Sequence, residues 1–369
     1  MPGRAELTIG IDARAAAEVT AGRGRLVREL LRALSQRDDP YRYMLYARSR
    51  YDCGLDDRFK WRLIDRPDPW WHLYAARQAS RECEVFFSSN SYLTVWFLSI
   101  PAVPFVHDMI AFDRSLDPRW QSALIERLTL GIAVRRSAAF LTNSKATTAD
   151  FARRFPRAAA RITTAPLAVA SELTETATTA ADGGLPDPGF VLAVGTLEPR
   201  KNLPRLVAAY TQLPDDLQRQ HPLIVVGEVG WQANETLEAL GSLGERCRVL
   251  GRVADDELGE LYRRCAVFCY PSLGEGFGLP VLEAMSFGAA VITSDRSSLP
   301  EVGGDAVEYV DPRDTASIRD GLDRLLRDPT RREELGARGR ERARSFSWAR
   351  TAETVLGVLA AAAHARSSA

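Results

Sequence analysis

The chain has 369 residues, of which 46% are hydrophobic and 26% are charged, a composition typical of folded globular proteins. One hydrophobic core rarely organises so long a chain, so the length indicates two domains. No run approaches the ~20 apolar residues that span a bilayer, and the N-terminus has no apolar signal core. The five cysteines include no C-x-x-C pair. We therefore expect a cytoplasmic protein that is neither membrane-spanning nor exported.

Charge is unevenly distributed although the formal net charge is zero. Residues 1–170 contain 26 Lys and Arg against 18 Asp and Glu, a surplus of +8 that the rest of the chain balances. This asymmetry indicates an anionic partner for the basic N-terminal half, such as the inner face of a membrane or a pyrophosphate-bearing lipid. A solvated surface arising from an arginine-rich composition is the alternative. We expect no nucleic-acid partner.

Strand-like and helical segments alternate along both halves, which predicts two Rossmann-like α/β domains with parallel sheets. In the first half the predicted strands are 7–12, 43–47, 85–89, 103–107 and 140–143, and the predicted helices are 23–34, 118–136 and 145–155. In the second half the predicted strands are 190–197, 223–227, 248–250, 266–270, 290–293 and 307–310, with helices such as 203–212 and 255–264 between them.

A polar stretch rich in alanine and threonine, residues 171–189, has the composition of a linker. It places one domain at 1–175 and a second domain at 188–345. Residues 346–369 are alanine-rich and predict a C-terminal helix that packs on either domain, with a return to the N-terminal one as one of the two options.

A glycine-rich turn between a predicted strand and a predicted helix carries two carboxylates. Residues 273–283 read L-G-E-G-F-G-L-P-V-L-E, with Glu275 in the turn and Glu283 one turn into the helix. Gly276 and Gly278 let the backbone approach a ligand closely. The free N–H groups at the helix start favour an anion such as phosphate. The segment is typical of a nucleotide-sugar site, and a chance E-x7-E spacing is the alternative.

Two cations follow the first predicted strand of the second half. Arg200 and Lys201 lie in E-P-R-K-N, a turn between a strand and a helix. Such turns lie at the carboxyl edge of a parallel sheet, where two cations can neutralise a diphosphate. Two solvated cations in a loop are the alternative interpretation.

In the first half, Gly22 lies in T-A-G-R-G-R, which follows the first strand and opens a helix. Val27 stands where a dinucleotide fingerprint needs its third glycine, so we interpret the loop as a backbone anion contact or a tight turn. His107 and Asn143 each lie at the end of a predicted strand. His107 is either a functional residue or a core histidine. Asn143 either lines the floor of the cleft or caps the following helix. We expect no metal and no cofactor, because neither a His/Cys cluster nor a D-x-D pair in the second half is present.

The second half resembles the retaining glycosyltransferases of family 4, whose GT-B architecture has two Rossmann-like domains facing across a cleft. The matching segments are V-G-T-L-E-P-R-K-N-L, V-V-G, P-S-L-G-E-G-F-G-L-P-V-L-E-A-M and L-P-E-V-G-G-D-A. In the first half, G-I-D-A-R, T-A-G-R-G-R, R-E-L-L-R-A-L, V-H-D-M-I and L-T-N-S-K-A-T-T resemble the mannosyltransferase-like branch. The resemblance covers nearly the whole chain.

The resemblance implies a nucleotide-diphosphate sugar that is held mostly by the second domain. Arg200 and Lys201 would bind the diphosphate and stabilise the leaving group. Glu283 would bond the ribose, and Glu275 would lie beside the transferred sugar. Sugar hydroxyls and phosphate would contact the backbone N–H groups of the turn that starts at Gly276, which are those of Phe277, Gly278 and Leu279.

The same resemblance implies that the first domain faces the acceptor. His107 would contact the sugar, and Gly22 would approach the diphosphate. The loop departs from the usual T-G-I-G-R-Y pattern, because Ala21 replaces a glycine and Arg23 replaces an apolar residue.

The implied activity is metal-independent, retaining transfer of a hexose, with GDP-mannose as the first donor considered and UDP- and TDP-sugars behind it. The acceptor would be a glycan, a lipid-linked oligosaccharide or a secondary metabolite. Two other functions stay open at this point: a nucleotide-sugar 2-epimerase, and a non-catalytic subunit that binds a nucleotide sugar.

Overall fold

The computed structural model describes residues 7–19, 22–89, 91–113, 116, 120–176 and 185–367. The chain divides into two compact units. The first unit comprises residues 1–112, 120–167 and 347–369, and the second comprises residues 113–119 and 168–346.

The first unit is built on a seven-stranded parallel sheet with the strand order β3-β2-β1-β4-β5-β6-β7. The strands are β1 Thr8–Asp12, β2 Arg42–Ala47, β3 Phe59–Leu63, β4 Val85–Ser88, β5 Ala102–Val106, β6 Phe140–Thr142 and β7 Ile162–Thr164. The first helices are α1 Arg14–Glu18, α2 Arg23–Ser35, α3 Trp70–Glu82, α4 Trp120–Arg136 and α5 Lys145–Arg154. The strand order reverses between β1 and β4, and ligands of open α/β sheets bind beside such a reversal.

The second unit has a six-stranded parallel sheet with the order β10-β9-β8-β11-β12-β13, which reverses between β8 and β11. The strands are β8 Val191–Val194, β9 Leu223–Val226, β10 Cys247–Gly251, β11 Val267–Tyr270, β12 Val291–Ser294 and β13 Glu308–Val310. The helices are α6 Ser171–Thr176, α7 Leu203–Tyr210, α8 Asp215–Gln220, α9 Asn234–Gly241, α10 Asp255–Arg264, α11 Leu279–Ser286, α12 Leu299–Gly303, α13 Thr315–Arg327 and α14 Pro329–Ala343. The predicted fold class, two Rossmann-like parallel-sheet domains, is confirmed.

The last helix, α15 Trp348–Ser367, packs within the first unit against α2, β4 and β5. The hydroxyl of Thr351 donates to the carbonyl oxygen of Pro166, which fixes the start of α15 in that unit. Among the described residues, no helix combines the length and the apolar character that crossing a bilayer requires.

The structure corrects the sequence analysis at five elements. Helices α1 and α3 and strands β3 and β7 were not predicted: α1 has only five residues, β3 alternates as F-K-W-R-L at an exposed edge, and β7 has only three residues. Helix α3 buries Trp71, Ala75, Ala76 and Ala79 at helical spacing. The linker prediction for 171–189 is wrong at its start, since helix α6 forms there and buries Leu173; residues 177–184 lie outside the described residues.

Candidate functional site

The turn after β8 brings the two predicted cations to the carboxyl edge of the second sheet. The backbone passes through a short 3-10 segment, Pro199–Lys201, to Asn202, which adopts the left-handed conformation at φ 61°. The side-chain Nδ2 of Asn202 donates to the carbonyl oxygens of Pro271 (2.9 Å) and Pro312 (2.7 Å). Asparagine tolerates this conformation and ties the turn to the loop after β11. Sequence analysis gave Asn202 no role, although it ends the E-P-R-K-N turn.

Glu275, in the loop after β11, lies at the centre of a partly buried polar cluster. Its Oε1 accepts from Lys201 Nζ (2.8 Å), the Tyr270 hydroxyl (2.8 Å) and the Ser272 hydroxyl (2.7 Å). Its Oε2 forms an ion pair with Arg200. Lys201 and Glu275 are 74 positions apart in sequence. They are in contact because the strands that precede them, β8 and β11, are neighbours in the sheet.

Charge within this cluster, which consists of Arg200, Lys201, Glu275 and Glu198, is balanced. Glu198 forms a second ion pair with Arg200. Burial would raise the pKa of Glu275, but Arg200 and Lys201 outweigh it and hold that pKa well below its ordinary value. Burial lowers the pKa of Lys201, and Glu275 opposes this only in part. The two cations are therefore already paired with protein carboxylates, and an anionic ligand would have to compete with Glu275.

The glycine-rich turn leads into α11 as the sequence predicted. Gly278 has φ +106°, and a Cβ there would lie 2.7 Å from Leu299 Cδ2, so the position requires glycine. The hydroxyl of Ser298 donates to the carbonyl oxygens of Glu275 (3.0 Å) and Phe277 (2.8 Å). Residues just before α12 therefore hold the turn in place. Sequence reasoning missed Ser298, which follows a strand without any recognisable motif.

Glu283 has a different environment from Glu275. Its side chain is buried, and its Oε2 accepts from the hydroxyl of Tyr262 on α10 at 3.0 Å. Tyr262 in turn stacks on Phe287, with ring centroids 5.9 Å apart and planes 13° apart. The structure thus brings Arg200, Lys201 and Glu275 into direct contact. It holds Glu283 through the hydroxyl of Tyr262. The role of Glu283 toward a ribose stays a prediction.

In the first unit, His107 follows β5 directly. Its Nε2 lies 2.8 Å from the carbonyl oxygen of Ser89, and its own carbonyl oxygen accepts from Asn143 Nδ2 at 2.8 Å. Burial, with the charge of Arg23 beside it, lowers the pKa of His107 to about 3, so the imidazole is neutral at physiological pH. The neutral ring of His107 therefore donates through Nε2 to the carbonyl oxygen of Ser89 and leaves Nδ1 as an acceptor.

His107 also lines a cavity of about 310 Å³ in the first unit. The other lining residues are Arg23, Ser91, Tyr92, Phe105, Ser122, Ile125, Glu126 and Thr129. Burial, with Asp108 adding to it, raises the pKa of Glu126 to about 7. Sequence analysis missed Glu126, because a single acid on a predicted helix is indistinguishable from a solvated one.

The loop at the start of α2 is only partly described, because Thr20 and Ala21 lie outside the described residues. Gly22 has φ +50°, with no atom within 4 Å of an added Cβ. Gly24 is more constrained, since an added Cβ would lie 1.6 Å from the carbonyl oxygen of Val19. The predicted contact of Gly22 with an anion stays a prediction. Across the part of the chain that the structure describes, no group of three His, Cys, Asp or Glu residues is arranged to hold a metal ion.

Comparison with solved structures assigns the class of fold. The structure of HepE from Anabaena in complex with UDP and glucose aligns with a TM-score of 0.72 over 96% of this chain and 99% of that one, at 15% identity. Together with the two parallel sheets, this likeness places the chain among proteins of the GT-B fold.

Comparison with other sequences gives the family that the second half of the chain resembles. Residues 177–342 match the family of glycosyl transferases group 1. The O-antigen chain mannosyltransferase B of Escherichia coli is 45% identical over 163 residues, which are 43% of this chain and 42% of that protein. The MMP alpha-(1->4)-mannosyltransferase of Mycolicibacterium hassiacum is 28% identical over 279 residues, 71% of this chain and 65% of that protein. The match thus spans less than half of the Escherichia coli relative.

These findings confirm the resemblance that the motifs indicated. Residues 177–342, most of the second unit, match group 1 of the glycosyl transferases, and the two relatives named above are mannosyltransferases.

Proposed function

We propose that the chain transfers a hexose from a nucleotide-diphosphate sugar with retention of anomeric configuration, and that GDP-mannose is the donor. The observation that supports this most is the contact of Arg200 and Lys201 with Glu275 at the reversal of the second sheet. Open α/β sheets bind ligands at such a reversal. Mannose is proposed because the relatives named above are mannosyltransferases.

Donor binding would exchange partners within the cluster. The diphosphate takes Arg200 and Lys201, and the carboxylate of Glu275 is then free to accept hydroxyl groups of the sugar. Cations in a buried site stabilise the negative charge that develops on the leaving diphosphate more strongly than they would in water. Two such cations supply the charge that other transferases obtain from a metal, so we propose metal-independent transfer.

The proposed chemical step breaks the bond between the anomeric carbon and the diphosphate oxygen, which keeps the electron pair. The acceptor oxygen attacks the same face of the sugar, and its proton passes to the departing phosphate. After the cations turn to the diphosphate, Glu275 keeps the hydroxyl donors Tyr270 and Ser272 on its Oε1, so we assign it hydrogen bonding to the sugar and not covalent attack. A front-face attack needs no carboxylate beneath the sugar.

We assign the acceptor to the cavity of the first unit. Its wall combines hydroxyl groups with the neutral His107 and with Glu126, whose pKa of about 7 lets it accept or donate a hydrogen bond. Such a mixture of donors and acceptors suits the hydroxyl groups of a glycan, free or lipid-linked.

A labelled-donor assay tests this function. The chain is incubated with GDP-mannose labelled at the anomeric carbon and with short mannosides, and the product is examined by NMR. We expect an α-linked product that Lys201→Ala reduces at least about a hundredfold, since the variant loses a cation that acts on the leaving group. Arg252→Ala, at an exposed position on the same unit, is the matched control and keeps full activity.

Other outcomes would replace the proposal. A β-linked product would exclude retention. A sugar epimerised at its second carbon without acceptor would assign the chain as an epimerase. Binding of GDP-mannose without any product would favour a non-catalytic subunit.

A further inference from the structure

Helix α4 presents a row of large apolar side chains to solvent. The exposed fractions are 72% for Trp120, 49% for Leu124, 64% for Ile125 and 59% for Leu128. Their spacing of four, five and eight residues places them on one side of the helix. The residues that pack against the unit lie on the opposite side and are Ala123, Leu130, Ala133 and Val134.

The charged side chains of α4 lie either on the side that faces the protein or at the end of the helix. Glu126, the sole acid of the helix, lines the cavity on the protein side. Arg127 is also held on that side, because its guanidinium donates to the carbonyl oxygen of Ala111 and lies over the ring of Phe112. Arg135 and Arg136 are exposed at the end of the helix. The exposed face therefore carries four large apolar side chains along two turns, with the uncharged Gln121 beside Trp120; it has no acid and is basic at one end.

A bilayer fits this face better than a second protein surface does. The row from Trp120 to Leu128 is about 12 Å long at the rise of an α-helix. Stable protein interfaces bury roughly 20–30 residues on each side, far more than four side chains of one helix supply. A helix lying in a membrane interface needs only an apolar face with tryptophan and arginine near the headgroups, and anionic lipids attract the arginines.

We propose that the exposed face of α4, consisting of Trp120, Leu124, Ile125 and Leu128 with Arg135 and Arg136 at its end, docks on the surface of a bilayer that contains anionic lipid. This docking does not depend on the transferase function. Ile125 belongs both to this face and to the wall of the cavity. If the proposed function holds, docking would present a lipid-linked glycan directly to that cavity.

Sedimentation with vesicles tests the docking without donor or acceptor. The full chain is mixed with phosphatidylcholine vesicles that contain or lack phosphatidylglycerol. We expect binding to the anionic vesicles, reduced about tenfold in Leu124→Glu and in Leu128→Glu, because each change places a charge in the apolar contact. Arg135→Glu with Arg136→Glu should remove the preference for anionic lipid.

Val249→Glu is the matched control, since Val249 is 43% exposed on β10 of the second unit. It should bind vesicles like the unaltered chain, and thermal unfolding should show that all variants fold. Sedimentation with neither kind of vesicle would overturn the proposal, as would an equal loss in Val249→Glu. A concentration-dependent dimer that Leu124→Glu dissociates would assign the face to a second copy of the chain instead.

Discussion

At Glu275 one carboxylate meets four donors, and two of them are the cations assigned to the diphosphate. The resemblance placed Glu275 beside the sugar and the cations beside the phosphate, as separate contacts. The structure adds that these groups bind one another. Glu275 therefore acts as an internal anion, and its charge affects how strongly the cations attract a diphosphate.

Glu275→Gln separates these two effects. We expect the variant to bind GDP about tenfold more tightly, because Arg200 and Lys201 no longer have a competing carboxylate between them. Without ligand it should unfold at lower temperature, since Lys201 loses its carboxylate partner and Arg200 keeps only Glu198. Titration calorimetry with GDP and thermal unfolding measure both quantities.

The neutral control is Tyr270→Phe, which removes the hydroxyl that donates to Glu275 and accepts from Lys201 and leaves every charge in place. Its affinity for GDP should change only about threefold, given the modest net contribution of each hydrogen bond. Weaker GDP binding in Glu275→Gln than in the unaltered chain would show that Glu275 does not compete with the diphosphate.

At the scale of elements, the entry to α2 shows which glycine the fold requires. The sequence analysis singled out Gly22, but the backbone of the first helical turn approaches Val19 most closely at Gly24. Gly22 needs a positive φ and has open space around it. Glycine therefore suits the two positions for different physical reasons: the backbone conformation at Gly22 and the lack of space for a Cβ at Gly24.

Replacing each glycine by alanine distinguishes these reasons. Gly24→Ala should lower the free energy of unfolding by about 3 kcal/mol or more, because its Cβ would overlap a backbone oxygen that cannot move alone. Gly22→Ala should cost about 1 kcal/mol, the usual strain of alanine at positive φ. Urea unfolding of both variants measures the difference, and equal losses would contradict the steric argument.

The short strand–turn–helix segments were the most predictable elements. The glycine turn before α11 and the cation turn after β8 each lie within a few residues that carry their own signal. The contact between Lys201 and Glu275 could not be predicted, because it depends on β8 and β11 being neighbours, and strand order leaves no local pattern. Helix α3 was not predicted, because the adjacent Trp70 and Trp71 indicate no helical face until the burial of Trp71 alone is known.

For the whole molecule, the two units have separate parts in the proposed function. The cations and the glycine turn belong to the second unit, whereas the cavity and the exposed face of α4 belong to the first. The basic surplus of residues 1–170 matches the anionic surface proposed for α4. Changes in the first unit, such as Glu126→Gln, should therefore impair transfer and leave nucleotide binding intact.

The most direct measurement is titration calorimetry of GDP and GMP into the unaltered chain, Arg200→Ala, Lys201→Ala and Glu126→Gln. We expect GDP to bind at least about a hundredfold more weakly to Arg200→Ala and Lys201→Ala, because each loses a charge-assisted contact with the diphosphate. GMP should be less affected, and Glu126→Gln should bind GDP like the unaltered chain. Unchanged GDP affinity in both cation variants would contradict the assignment of the turn after β8 to the diphosphate.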